Sequence, residues 1–134
     1  MLSLSVNWLA IVLATVASMA LGAAWYMGLA KQWMAAAGMR KEDVEKPDPT
    51  PFIISALCQL VMAYFLAVLI PVLAGATNVG NGLLIGFYMW LGFVITSMIV
   101  NHRYQMKPWP LTLIDGGYML GVLLVQGVVI GLFG

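Results

Sequence analysis

The sequence predicts an all-α integral membrane protein, a four-transmembrane-helix up-down bundle with its N- and C-termini on the non-cytoplasmic side. Three observations lead there. Hydrophobic residues make up 63% of the chain and charged residues only 8%, against roughly a quarter charged in a soluble domain. Such a chain cannot cover a water-facing surface, and lipid is the solvent that suits it. Its uncharged stretches are long enough for four spans at about 20 residues each. Finally, all six Lys and Arg residues fall in two connections.

At 134 residues the chain reads as a single membrane domain, 1–134. The first span runs from about 4 to 29 and carries no charged side chain, so it reads as a signal anchor rather than a signal peptide with a positive n-region. The uncharged run from Pro49 to Asn101 is too long for one helix. Gly75-Ala-Thr-Asn-Val-Gly-Asn-Gly82 divides it, because Gly and Asn cluster at turns. That gives spans at about 51–74 and 81–100. The fourth starts near Pro110, a residue suited to the first turn, and covers about 110–133. Pro71 predicts a bend in the second span.

The polar connections are 31–49 and 102–109. Within the first, Lys31 to Ala37 reads as a short interfacial segment with Trp33 and Met34 dipping into the membrane. The connections hold Lys31, Arg40, Lys41, Lys46, Arg103 and Lys107, while the turn at 75–82 and both termini hold no Lys or Arg. Positive loops remain cytoplasmic, which gives the orientation, argues against dual insertion and points to a bacterial inner membrane. Trp25, Tyr26, Trp33, Tyr104 and Trp109 fit an aromatic belt on that side, with Trp8 on the other.

Small residues predict the packing faces, since close approach rather than apolar burial drives helix association in lipid. They are Ala10, Ala14, Ser18 and Gly22 with Tyr26 on the first span, and Ser55, Gln59, Ala63 and Ala67 on the second. The third offers Gly86 and Gly92 with Thr96; the fourth has Gly117 with Gly121 and Gly127 with Gly131.

Asp115 is the acidic residue inside a span, about 7 Å along the axis from Pro110 at 1.5 Å per residue. An intramembrane carboxylate marks a candidate site whose partner must be named. Arg103 and His102 are the charge partners expected across the short connection, and Gln59, Thr96 and Ser97 are hydrogen-bond partners at comparable depth. Tyr118 shares the Asp115 face, as does Gln126 farther along. A carboxylate in the first turns of a helix also complements the positive helix end, a structural role that competes with proton or cation handling.

Other chemistry has less support. Cys58 is the one cysteine, so no intrachain disulfide forms, and the single histidine, His102, cannot build a zinc site alone. The ten methionines form no Met-x-x-Met cluster and read as filler of apolar helices. No cofactor is expected, and no nucleophile–base pair or paired carboxylates point to an enzyme. Basic residues interleaved with Glu42, Asp43, Glu45 and Asp48 suit anionic lipid headgroups rather than nucleic acid.

Several segments carry a family resemblance: Asn7-Trp-Leu-Ala10, Gly22-Ala-Ala-Trp-Tyr26, Trp33-Met34, Met62-Ala-Tyr64, Trp90-Leu-Gly-Phe93, Asn101 and Gly117-Tyr118. Together they resemble the bacterial domain of unknown function 1761 family of small four-span membrane proteins, across essentially the whole chain. The resemblance implies the four-helix architecture and no established activity. Three classes of function stand: an oligomeric channel or transporter for protons, ions or small solutes; an accessory or scaffolding subunit of a larger membrane complex; and a small membrane enzyme for hydrophobic substrates. The partners expected are membrane lipids and either further copies of the chain or a larger membrane complex.

Overall fold

The computed structural model describes residues 5–44 and 48–134. Among them the secondary structure is helical throughout: α1 (Trp8–Gly28), α2 (Ala30–Ala37), the single turn α3 (Lys41–Val44), α4 (Thr50–Ala74), α5 (Val79–Met89), a π-helical turn (Trp90–Val94), α6 (Ile95–Tyr104) and α7 (Trp109–Leu132). Four segments are long and apolar enough to cross a membrane: α1, α4, the continuous run Val79–Tyr104, and α7. The expected start of the first span at residue 4, and Glu45 and Lys46 of the first connection, lie outside the described residues.

Local chemistry sets most of the helix ends. Asn7 caps α1, its Oδ1 accepting from the backbone N–H groups of Leu9 (3.1 Å) and Ala10 (3.3 Å). Asp48 Oδ1 accepts from Thr50 N–H at 3.0 Å just before α4, and that bond holds its carboxyl below the usual carboxylate range. Gly75, at φ 88°, ends α4 in the left-handed conformation that glycine takes without a Cβ clash. Asn78 then caps α5 by accepting from Asn81 N–H at 2.8 Å, which starts the third span at Val79 rather than at 81.

Helix α7 is the hub. It packs on α1 and α5 most extensively and also touches α2, α4, the π turn and α6, while α1 and α5 each pack on α4 as well. The interior is Ile11, Ala14, Ala63, Leu66, Ile70, Ile85, Leu123 and Ile130. The expected small-residue faces of α1 and α4 are realised: Ala10, Ala14, Ser18 and Gly22 are buried, as are Gln59 and Ala63. At the α5–α7 crossing a Cβ on Gly82 or Gly127 would overlap the other's backbone, so two glycines set how closely these helices approach.

The third span departs from expectation. It continues to Tyr104 instead of stopping near 100, so the connection to α7 shrinks to 105–108 and His102 and Arg103 are helical. Basic residues in a last turn complement the negative helix end, and contacts to α7 hold both side chains there. The π turn also adds a residue to the helix, turning everything after it by about 100° relative to an unbroken α-helix. Gly82 and Gly86 face α7, and on an uninterrupted helix Phe93 and Ser97 would follow on that side. Instead Ile95 and Met98 reach Gly116 of α7, while Gly92, Phe93, Thr96 and Ser97 are exposed. The packing face expected from Gly86, Gly92 and Thr96 is therefore confined to its α5 part.

Candidate functional site

Asp115 lies six residues into α7, about 9 Å along its axis at 1.5 Å per residue. Two donors from the first half of the chain hold its carboxylate. Tyr26, on the last turns of α1, donates its hydroxyl to Oδ1 at 2.6 Å. Trp33 donates its indole N–H to the same oxygen at 3.2 Å. Trp33 gets there because α1 breaks at Leu29 (φ −112°, ψ 18°) and α2 packs back on α7. The two rings meet edge to face, 6.1 Å apart.

Two further indoles fix α7 at this level. Trp25 of α1 donates to the Ile114 carbonyl at 3.0 Å, and Trp90 of the π turn donates to the Gly116 carbonyl at 2.8 Å. The carbonyls of the residues on both sides of Asp115 are thus tied to neighbouring helices, which limits how far the carboxylate can move.

Tyr118, one turn on, packs edge to face against Tyr26 with ring centroids 5.1 Å apart. Its hydroxyl fits over Gly22, where a Cβ would overlap it. That hydroxyl accepts from Gln59 Nε2 at 2.6 Å. Gln59 also donates to Ser55 Oγ (3.0 Å) and accepts from Ser18 Oγ (2.6 Å). Gln126 Nε2 completes the network by donating to Ser18 Oγ (3.2 Å) and to the Gln59 carbonyl (3.0 Å), while Gln126 Oε1 is buried without a partner among the described residues. One polar cluster inside the bundle thereby joins α1, α4 and α7. It meets the Asp115 group ring to ring, through Tyr26 and Tyr118.

The residues read from the sequence therefore separate. Asp115 and Tyr118 are neighbours, and Gln59 reaches Asp115 only by way of the tyrosines. The charge partners expected for Asp115 are elsewhere. Arg103 Nη2 donates to Thr112 Oγ1 at 2.8 Å and to the Lys107 carbonyl at 3.0 Å, and its guanidinium lies 3.6 Å from the centroid of the Trp109 ring. His102 Nδ1 lies 2.7 Å from the same Thr112 hydroxyl. Thr112 precedes Asp115 by one turn, so both basic residues stop about 4.5 Å short along the axis. Thr96 and Ser97 are exposed and donate back to their own helix, at the Gly92 and Phe93 carbonyls, because the π turn has rotated them outward. The sequence reading missed Tyr26 and Trp33 as the carboxylate's partners. Tyr26 carried a usable signal, four residues beyond Gly22 on the α1 contact face; Trp33 depended on the fold-back of α2.

Around Asp115 opens a cleft of about 540 Å³. Tyr26, Trp33 and Tyr118 form its aromatic walls; Met34, Met98 and Met119 line it, with Ala30 and Ser55. Met98 and Met119 also border a second recess, of about 450 Å³, on the His102 side. Among the described residues no group of three or more His, Cys, Asp and Glu side chains is placed to hold a metal ion. A lone carboxylate backed by a phenol and an indole can take up a proton or pair with a cation.

No curated protein and no solved structure matches the chain. Residues 9–131 match the family described as protein of unknown function (DUF1761). That match spans the polar cluster, Asp115 and nearly all of the four long helices, and the chain belongs to the DUF1761 family.

Proposed function

We propose that this protein is a small transporter of a bacterial cytoplasmic membrane, moving protons, ions or small solutes by way of the Asp115 cleft, with its two basic connections on the cytoplasmic side. One observation carries the reading: a carboxylate inside a membrane-length helix, held by Tyr26 and Trp33, lines an open cleft of about 540 Å³. An ionisable group at that depth is costly and marks an ion or substrate path when it faces a cavity. Its two partners are hydrogen-bond donors, neither nucleophile nor base at neutral pH, which supports binding over catalysis. The orientation rests on the confinement of all six Lys and Arg residues to two connections.

The test is flux in liposomes reconstituted with the purified chain. A proton or cation flux that Asp115→Asn abolishes supports the reading; no flux of any ion from folded protein overturns it.

The transporter works as a homo-oligomer in this reading. Gly92 and Thr96 are exposed one turn apart on the third span, and a Cβ at Gly92 would have nothing from the rest of the bundle within 4 Å. Small residues on an outer helix face favour a second helix. Cross-linking in membranes should capture like copies. Capture of a different membrane protein instead would favour the accessory-subunit role.

A further inference from the structure

We infer that the Asp115 cleft binds a lipophilic organic cation with delocalised or shielded charge, a substrate class that rests on the transport reading above. The sign of the charge follows from the lining. Among the described residues Asp115 is the charged side chain of the cleft, and none of the described Lys, Arg or His residues lines it. Arg103 and His102, the charge partners expected from the sequence, are engaged at Thr112. An anion would meet an uncompensated carboxylate there, whereas a cation would neutralise it.

The walls decide the kind of cation. Tyr26, Trp33 and Tyr118 present three aromatic rings, and Met34 and Met98 present polarisable thioethers. Aromatic faces attract a cation most strongly when it is weakly hydrated. A small inorganic cation would lose its water to a single carboxylate, whereas hard cations require six or more oxygen ligands. A large organic cation gives up little hydration and gains contact over the whole wall. The volume fits as well: about 540 Å³ falls within the range of small-molecule pockets.

The carboxylate is already prepared for such a guest. Among the described residues both of its hydrogen bonds end on Oδ1, which leaves the lone pairs of Oδ2 for a ligand. Because Tyr26 and Trp33 supply the bonds as well as two of the walls, binding requires no new partner for Asp115. A lipid acyl chain, the other apolar occupant available in a membrane, would leave the charge unpaired.

The experiment uses the full chain in nanodiscs and two probes of matched shape and opposite charge, tetraphenylphosphonium and tetraphenylborate, with empty nanodiscs as the baseline. The cation should bind saturably above the baseline and at least tenfold more tightly than the borate anion. Asp115→Asn should weaken cation binding at least tenfold. Met34→Trp, which fills the cleft and leaves both bonds to Asp115 in place, should weaken it similarly. Equal binding of the two probes would overturn the assignment. So would cation binding unchanged in Asp115→Asn or, if that variant does not fold, unchanged in Met34→Trp. Saturable cation binding without flux would uphold the ligand class and overturn transport. Asp115-dependent proton flux with no cation binding would do the reverse.

Discussion

The Tyr26 hydroxyl donates to Asp115 Oδ1 across 2.6 Å, joining the last turns of the first long helix to the fourth across 89 positions of sequence. The charge partners expected for this carboxylate were cations across the short connection, with Gln59, Thr96 and Ser97 as hydrogen-bond partners. The observed ones are a phenol and an indole from the other end of the chain.

That bond should be measurable as a coupling energy. Tyr26→Phe keeps the ring packing on Tyr118 and Trp33 and removes only the hydroxyl. Thermal unfolding in detergent of Tyr26→Phe, Asp115→Asn and the double variant should give a coupling of about 1 kcal/mol, the scale of polar contacts between membrane helices. Additive losses would mean that the two groups do not act together.

The polar cluster should be graded in its sensitivity. Gln59 is 2% exposed and serves Ser18, Ser55, Tyr118 and Gln126. Gln59→Leu strands several buried polar atoms, each costing about 1–3 kcal/mol when unpaired, although the Gln59 carbonyl that Gln126 uses remains. Gln126→Leu removes two donor bonds but also eliminates the buried Oε1 that has no partner. Denaturation should therefore rank Gln59→Leu well below Gln126→Leu in stability. The opposite order would place the network's centre at Gln126.

Two glycines that look alike in sequence should respond in opposite ways. A Cβ at Gly127 overlaps the backbone of Gly82, so Gly127→Ala must push α5 and α7 apart, at a cost of about 1–3 kcal/mol for overpacking. Gly28, at the end of α1, has nothing within 4 Å of its Cβ position. Gly28→Ala should be neutral or slightly stabilising, because alanine is the better helix former. Thermal melts of the two variants side by side test the difference.

These cases show what the sequence made legible. Four apolar runs separated by Gly, Asn and Pro gave the spans, because helix length and apolarity are local properties. The faces of α1 and α4 were readable from four-residue spacing for the same reason. The partners of Asp115 were not, since they depend on α2 folding back at Leu29 and on α1 lying beside α7. Thr96 and Ser97 do not reach Asp115 for a subtler reason: their neighbours Ile95 and Met98 meet α7 at Gly116, but rotation about the third span depends on one π turn that leaves no period in the apolar pattern.

That turn supplies the last prediction. Removing one residue from it, by deleting Gly92, takes back the residue that the bulge adds, so it should restore an unbroken α-helix and leave the facing of the α6 half unchanged. Met98 should then stay at the Asp115 cleft and Ser97 outside it, while His102 and Arg103 keep Thr112. Cysteine labelling reads the facing directly, starting from a Cys58→Ser background because Cys58 is itself exposed. Ser97→Cys should react readily with a membrane-permeant maleimide and Met98→Cys slowly, both before and after the deletion. Met98 goes on bordering both recesses, so affinity for any ligand of the Asp115 cleft should be retained. If the deletion inverts the labelling order, the turn is not a one-residue insertion in an α-helix, and the outward position of Ser97 has some other cause.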